Sequence, residues 1–329
     1  MTSIAVLTTT YRRTQHLRCY LESLARAQGF SNVRVLILIN GDDVETVSLL
    51  DEYARQYPNI RFIKGERHTR GTTRNILMGQ SKESDVFYFL DDDCRVLEDV
   101  FLVLAGVAET YPDIDCFGGP NLTPPDADVF SRAQGYALGS FFGTFWVRDR
   151  YRVHGNPRLV DDRALILCNL AVRRMALDRA DLSFHETVVC AEENLLIQNL
   201  ISAGHRCMHI PRLAVFHERR KSVSGFWKQM FIYGHGRCQI LKKGRFRDRM
   251  AYIFSGIILM VLCLFFWKYS VAALMVYAAL CVVNAAGITW QAQDREAFWP
   301  VLYILPLIHT GYIFGFMRGL LPVLKRPKS

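Results

Sequence analysis

The chain has 329 residues, half of them hydrophobic, and a formal net charge of +9. That length holds one α/β domain plus a second unit. With neither a Lys/Arg-rich tail nor a nucleic-acid motif, the positive excess points to anionic lipid or phosphates and not to DNA or RNA. Nine cysteines lie scattered, with no Cys-x-x-Cys pair and behind no secretory signal, so packed thiols in a reducing cytoplasm are expected and a disulfide framework is not.

Ile4-Ala5-Val6-Leu7 is an apolar strand that ends in Thr8-Thr9-Thr10-Tyr11. Leu17, Tyr20, Leu21 and Leu24 then recur at helical spacing. Residues 33–39 form a second strand, ending at Asn40-Gly41-Asp42-Asp43, and Val47, Leu50, Tyr53 and Ala54 mark the next helix. A short strand follows at 60–63, and Gly71-Thr72-Thr73-Arg74-Asn75 opens another helix. Strands alternating with helices predict βαβ units and a mostly parallel sheet with right-handed crossovers.

The fourth strand, 86–90, is an apolar run that stops at Asp91, Asp92 and Asp93. An uninterrupted apolar run marks a strand covered on both faces. Open α/β sheets bind ligands beyond the carboxyl ends of such strands. Adjacent carboxylates repel unless something positive lies among them, and a hard divalent cation holding phosphate oxygens is one partner of that kind. A cap for a helix beginning near Val96 is the other reading, and the run alone leaves both open.

A helix is expected over about 97–110. Residues 121–162 mix Gly, Pro, aromatics and Arg without a clear period and read as a long functional loop. Residues 165–172 resume the sheet, 191–196 open a helix that ends near Gly204, and 209–217 read as a strand pair bent at Pro211. Cys168 and Cys190 flank these segments and read as core thiols. Residues 224–240 mix aromatic and basic side chains as an interfacial amphipathic helix does.

From residue 251 charge nearly vanishes. Residues 251–267 and 270–290 carry none, and 298–317 carry only His309. About 20 apolar residues span a bilayer, and the basic cluster over 242–249 suits the cytoplasmic side of a first span. Three spans would leave Lys325, Arg326 and Lys328 outside, whereas two spans plus a re-entrant third segment keep them inside. Pro306, His309, Gly311 and Gly315 make the third segment the least regular; a buried core hairpin is the alternative for the whole region.

Six short motifs occur in order: Thr8-Thr9-Thr10-Tyr11-Arg12-Arg13, Gly71-Thr72-Thr73-Arg74-Asn75, Asp91-Asp92-Asp93, Asn169-Leu170-Ala171-Val172-Arg173-Arg174, Glu192-Glu193-Asn194 and His217-Glu218-Arg219-Arg220. In that order and strand context, residues 1–240 resemble a family 2 glycosyltransferase. The ending at residues 312–319 resembles bacterial exopolysaccharide and cell-surface glycan transferases. The resemblance implies a GT-A fold, an α/β Rossmann-like cytosolic domain with a mostly parallel sheet, followed by an all-α membrane domain. The expected division is a catalytic domain at 1–220, an interfacial basic segment at 221–250, a membrane domain of two to three helices at 251–322 and a basic tail at 323–329.

The resemblance also implies roles. Asp91 and Asp93 would hold Mg²⁺ or Mn²⁺ against the diphosphate of a nucleotide-sugar, with His217 as a further ligand. Thr9, Tyr11, Asn40, Arg74, Asp91 and Asp92 are the expected nucleotide-sugar contacts, although Asp92 matches a variable position and takes no metal-ligand role. Asn40 stands where many relatives carry an Asp; an amide both donates and accepts, so base recognition differs. Glu192 and Glu193 form the catalytic acid pair, with Glu193 as general base. Acids in a first helical turn also simply complement the helix dipole. Arg219, Arg220 and Lys221 face diphosphate or headgroups, or form a solvated basic face.

The implied activity is inverting, metal-dependent transfer from a UDP- or GDP-sugar to a hydroxyl of a lipid-linked, polyprenyl-diphosphate glycan. It would take place at the cytoplasmic membrane, with membrane lipids and no nucleic acid as partners. A polyprenyl-phosphate monosaccharide synthase and a non-catalytic membrane scaffold are the alternatives.

Overall fold

The computed structural model describes residues 2–188, 190–243 and 270–321. The described residues include eleven strands: β1 (Ile4–Thr10), β2 (Val33–Asn40), β3 (Ile60–Gly65), β4 (Val86–Leu90), β5 (Cys94–Val96), β6 (Cys116–Gly118), β7 (Asn121–Leu122), β8 (Arg158–Leu159), β9 (Asn169–Arg173), β10 (Cys207–His209) and β11 (Val215–His217). Eight form one sheet in the order β3-β2-β1-β4-β9-β6-β10-β8. β1 to β4 run parallel, β9 runs against β4 and β6, β10 follows β6, and β8 opposes β10. The mostly parallel sheet expected from the strand–helix alternation is therefore present. Every residue of β4 is buried, as an apolar run covered on both faces requires. The core beside it holds Phe89, Leu170, Phe184, Leu196 and Leu200, with the Phe89 and Phe184 rings edge to face at 5.1 Å.

A second, three-stranded sheet has the order β5-β11-β7. β11 runs antiparallel to β5, with His217 opposite Cys94 and Phe216 opposite Arg95. This corrects the bent strand pair expected over 209–217, because β10 and β11 lie in different sheets. A turn closed by Leu213 N–H donating to the Ile210 carbonyl at 3.0 Å separates them. Gly119 lets that turn approach: a Cβ there would sit 1.7 Å from the Leu213 carbonyl oxygen. Residues 165–168 lie outside any strand, with a turn at 167–168, so β9 begins only at Asn169.

The long loop expected over 121–162 is also corrected. It contains the helices Val129–Leu138 and Phe141–Thr144, a 3₁₀ turn at Phe145–Arg150, and strands β7 and β8. Asp128 caps the first helix by accepting from Ser131 N–H at 2.7 Å, which fixes its start despite the weak apolar period.

By compactness the chain forms two units, Met1–Ala127 with Trp146–Arg219, and Asp128–Phe145 with Arg220–Ser329. All eleven strands lie in the first. In the second, the helix Val223–Lys243 packs on the helix Phe298–Leu320 through glycine. A Cβ on Gly315 would lie 1.9 Å from the Phe231 carbonyl oxygen, and one on Gly234 would lie 2.0 Å from that of Tyr312. Gly311, Gly315 and Gly319 repeat every fourth residue, so they share one helix face. The segment expected to be the least regular is thus one continuous helix with Pro306 inside it, and its glycines are a packing stripe. Lys242 Nζ donates to the Gly319 carbonyl at 2.5 Å, satisfying one of that helix's last acceptors.

Two helical segments, Val271–Gln291 and Arg295–Leu320, have mean hydropathies of 2.2 and 1.4 and are long and apolar enough to cross a membrane. Val271, Leu274, Val283 and Trp290 of the first are exposed. The first expected span at 251–267, most of the basic cluster and the C-terminal tail lie outside the described residues.

Candidate functional site

The site is built where β1 and β4 end. The two strands are adjacent and parallel, with Leu7 opposite Phe89, so Thr10 and the carboxylates after Leu90 come out side by side. Thr10 Oγ1 donates to Asp92 at 2.8 Å. Arg13, in the turn after β1, reaches Asp92 at 3.2 Å and the Oδ2 of Asp93 at 2.8 Å. Asp92 and Asp93 are buried, while the Asp91 side chain is 37% exposed. The capping reading of these acids is not realised, because β5 intervenes before the helix that begins at Val100.

His217 reaches the acids from the second sheet. Its Nε2 lies 3.2 Å from Asp93 Oδ1 and 4.0 Å from Asp91 Oδ2. Its Nδ1 lies 3.0 Å from the Glu218 carbonyl, an acceptor, so Nδ1 carries a hydrogen. In the neutral ring the Nε2 lone pair therefore faces two carboxylates, an arrangement that needs a proton or a metal cation between them. Burial opposes protonation, yet the Asp93 charge lifts His217 to about 9. Burial and the same charge push Asp92 up to about 7 against the pull of Arg13 and Thr10. The potential ligand atoms of Asp91, Asp93 and His217 all lie within 4.8 Å of one another. Two carboxylates and an imidazole, one of the acids open to solvent, fit a divalent cation.

Arg74 ties this cluster to the acid pair. It sits in the first turns of the helix Arg70–Gly79, whose cap Thr69 accepts from Thr72 N–H at 3.3 Å. Arg74 Nη1 is 2.7 Å from Glu192 Oε1, and Nη2 is 3.7 Å from Asp91 Oδ1. Both Arg74 and Glu192 are buried. Glu192 and Glu193 open the helix Glu192–Ser202 behind Ala191, which takes a left-handed φ of 66°. Successive helical side chains diverge by roughly 100°. Burial, then the charge of Glu192, holds the Glu193 carboxyl up to about 7, with Arg150 pulling the other way. Arg150 also donates to Asn194 Oδ1 at 2.9 Å and to the Arg163 carbonyl at 2.8 Å, which anchors the start of this helix.

The other expected contacts lie along the ends of β1 and β2. Asn40 forms a two-point pair with a neighbouring backbone: its Nδ2 donates to the His68 carbonyl at 3.1 Å and its Oδ1 accepts from His68 N–H at 2.7 Å. An Asp could accept there but not donate. The Tyr11 ring has the guanidinium of Arg67 at 4.8 Å and that of Arg12 at 5.2 Å. Thr9 is half-buried, opposite Leu38. Arg219 turns into the fold, donating to the Asn121 carbonyl at 2.8 Å and to Thr123 Oγ1 at 3.0 Å. Lys221 is exposed, 3.5 Å from Asp128.

Two residues were not singled out by sequence. Arg13 lies inside a quoted motif, but nothing in the order Arg12-Arg13 says which of the two turns inward. Arg12 is the exposed one, with φ 51°. Arg150 lies in an aperiodic stretch with no sequence signal.

The family described as Glycosyl transferase family 2 matches residues 5–180. No curated protein matches the chain. Among solved structures, the mannosyltransferase PcManGT from Pyrobaculum calidifontis, in complex with GDP-Man and Mn²⁺, superposes with a TM-score of 0.62 at 14% identity, over 96% of this chain and 86% of that one. S. aureus TarS gives 0.53 at 14% identity, over 96% of this chain but 54% of TarS. Its fragment 1–349 in complex with UDP-GlcNAc gives 0.54 at 13% identity, over 96% and 89%. Such identities speak for the shared fold, the GT-A arrangement.

Proposed function

The chain belongs to glycosyl transferase family 2, and we propose that this glycosyltransferase inverts the anomeric centre as it moves a sugar from a GDP- or UDP-sugar to a hydroxyl of a lipid-linked glycan. The observation that carries the reading is the convergence of Asp91, Asp93 and His217, joined through Arg74 to a buried acid pair. PcManGT in complex with GDP-Man and Mn²⁺ supports it by analogy of fold.

Asp91, Asp93 and His217 would hold Mn²⁺ or Mg²⁺. A bound divalent cation supplies Lewis-acid stabilisation of the charge that grows on the diphosphate leaving group. Arg13 neutralises Asp92 and steadies one oxygen of Asp93, which leaves its other oxygen facing His217. Arg74, beside the partly exposed Asp91, adds fixed positive charge for the diphosphate. Glu192 is committed to Arg74, so Glu193 is the base. Its raised affinity for a proton suits it to take one from the acceptor hydroxyl near neutral pH. A phosphate acceptor is already ionised and needs no such base, so a buried Glu193 favours a hydroxyl over polyprenyl phosphate.

The two long apolar helices anchor the catalytic unit at the cytoplasmic membrane face, where lipid-linked acceptors present their glycans. The domain limits set out above, 1–220 for catalysis and 251–322 for the membrane, go with this reading. The test incubates membranes containing the protein with labelled GDP- or UDP-sugars and Mn²⁺. Label in a lipid-linked oligosaccharide, with the anomeric configuration reversed and lost with EDTA, supports the proposal. A bare polyprenyl-phosphate monosaccharide, or EDTA-resistant transfer, overturns it.

A further inference from the structure

Beneath the acid cluster lies a second set of donors with a different chemistry. The pairing of β5 with β11 puts Cys94 directly opposite His217, and directly opposed side chains share one face of a sheet. Cys168, in the turn before β9, completes the set. One donor atom from each of Cys94, Cys168 and His217 lies within 4.8 Å of the others. Both thiols are buried, 1% and 3% exposed. The surroundings are arranged for a sulfur that carries charge. Asn121 Nδ2 points at Cys168 Sγ from 3.4 Å, and Arg219 Nη1 lies 3.4 Å from Asn121 Oδ1, which fixes that amide's orientation. Cys94 Sγ donates to the Cys168 carbonyl at 3.5 Å.

We propose that Cys94, Cys168 and His217 form a site for a thiophilic divalent cation, Zn²⁺ or Cd²⁺, and that its occupation blocks the neighbouring Asp91–Asp93–His217 site by taking His217. Sulfur and imidazole select soft and borderline metals, whereas carboxylates select hard ones. In a tetrahedral zinc site with Zn–S near 2.3 Å, neighbouring sulfurs sit roughly 3.8 Å apart, so the two sulfurs, within 4.8 Å of each other, need to close by about 1 Å at most. Binding converts two thiols, a protonated His217 and Zn²⁺ into two zinc-bound thiolates and a zinc-bound neutral imidazole, and releases three protons to solvent. A neutral imidazole has one lone pair, so His217 serves one cation at a time and the two sites exclude each other. The thiol site stands on its own geometry; the inhibitory consequence rests on the proposed metal-dependent transfer.

The test uses the full chain in detergent under a phosphine reductant. Titration with Cd²⁺ is followed by its thiolate charge-transfer band, and transfer with Mn²⁺ is measured against added Zn²⁺. The expected result is a Cd²⁺ band that is lost in Cys94→Ser and Cys168→Ser and retained in Cys116→Ala, which alters the other facing thiol pair, Cys116 and Cys207. Both serine variants keep Mn²⁺-dependent transfer, and the Zn²⁺ concentration for half-inhibition rises at least about tenfold, since even an outer-shell change costs a metal site that much. Cys168→Ala serves if a serine variant does not fold. A wild-type band surviving in both cysteine variants, or unchanged zinc inhibition, overturns the proposal. A cysteine-dependent band in a protein that transfers nothing with Mn²⁺ refutes the proposed function and leaves the thiol site standing.

Discussion

Replacing Arg74 by Met removes the guanidinium paired with Glu192 and leaves a carboxylate that is 1% exposed. Breaking a buried ion pair from one side costs about 3–5 kcal/mol, because the remaining charge is uncompensated. The hydrogen bond from Arg74 to the Arg70 carbonyl at 3.0 Å is lost as well. At roughly 2–4 °C per kcal/mol for a large domain, the melting temperature should fall on the order of 10 °C. Arg74→Met/Glu192→Leu removes both charges, and buried pairs exchanged for apolar side chains are often close to neutral, so most of the loss should return. Activity should not return with it. Arg74 Nη2 lies 3.7 Å from Asp91, and loss of a fixed donor to the leaving group lowers kcat/KM by about 100-fold. Thermal unfolding of the purified full chain, followed by near-ultraviolet circular dichroism, reads the first effect, and transfer kinetics reads the second. A single variant melting within about 2 °C of wild type, or a double variant no more stable than the single one, refutes the reasoning.

Three further outcomes follow from the same geometry. Glu193→Gln should lower kcat by about 10²–10⁴-fold while sparing donor binding; in the unaltered enzyme kcat/KM should rise with pH through about 7, where Glu193 loses its proton, and that limb should vanish in the variant. The folded state holds this proton more tightly than the unfolded one, so the Glu193 contribution to stability falls as pH climbs from the ordinary 4.5 to about 7, and thermal melts of the Gln variant should be flatter over that window. Asn40→Asp places an acceptor against the His68 carbonyl and should cost about 1–3 kcal/mol, read as a lower melting temperature together with a raised KM for the donor. Gly315→Ala sets a methyl 1.9 Å from the Phe231 carbonyl oxygen and should destabilise the second unit by about 1–3 kcal/mol, read by proteolysis between its helices.

The sheet was legible because its signal is local. β1, β2 and β4 are short, mostly apolar runs, the first two connecting helices show a clear apolar period, and the parallel order follows from the crossovers. The acids after β4 were legible for the same reason, since an apolar run that ends in carboxylates marks a strand's carboxyl end. What was not legible depends on contacts between distant segments. β5, β7 and β11 are two or three residues long, too short for any period, and only the pairing of β5 with β11 brings Cys94 to His217. The helix Val129–Leu138 was hidden by Gly135 and its mixed composition, while its Asp128 cap was the available cue. Gly311 and Gly315 looked like irregularities, because the sequence cannot show that the helix Val223–Lys243 needs their empty side-chain positions.

Asp91 and Asp93 are the proposed metal ligands, and Asp92 lies between them without that role. Mn²⁺ binding, measured by electron paramagnetic resonance in the presence of GDP or UDP, tests this assignment most directly. Asp91→Asn and Asp93→Asn should each weaken binding at least about tenfold, with transfer lost in proportion, whereas Asp92→Asn, whose carboxyl is held by Arg13 and Thr10, should still bind one Mn²⁺. Wild-type Mn²⁺ affinity in an Asp91→Asn/Asp93→Asn double variant would contradict the metal site, and with it the mechanism.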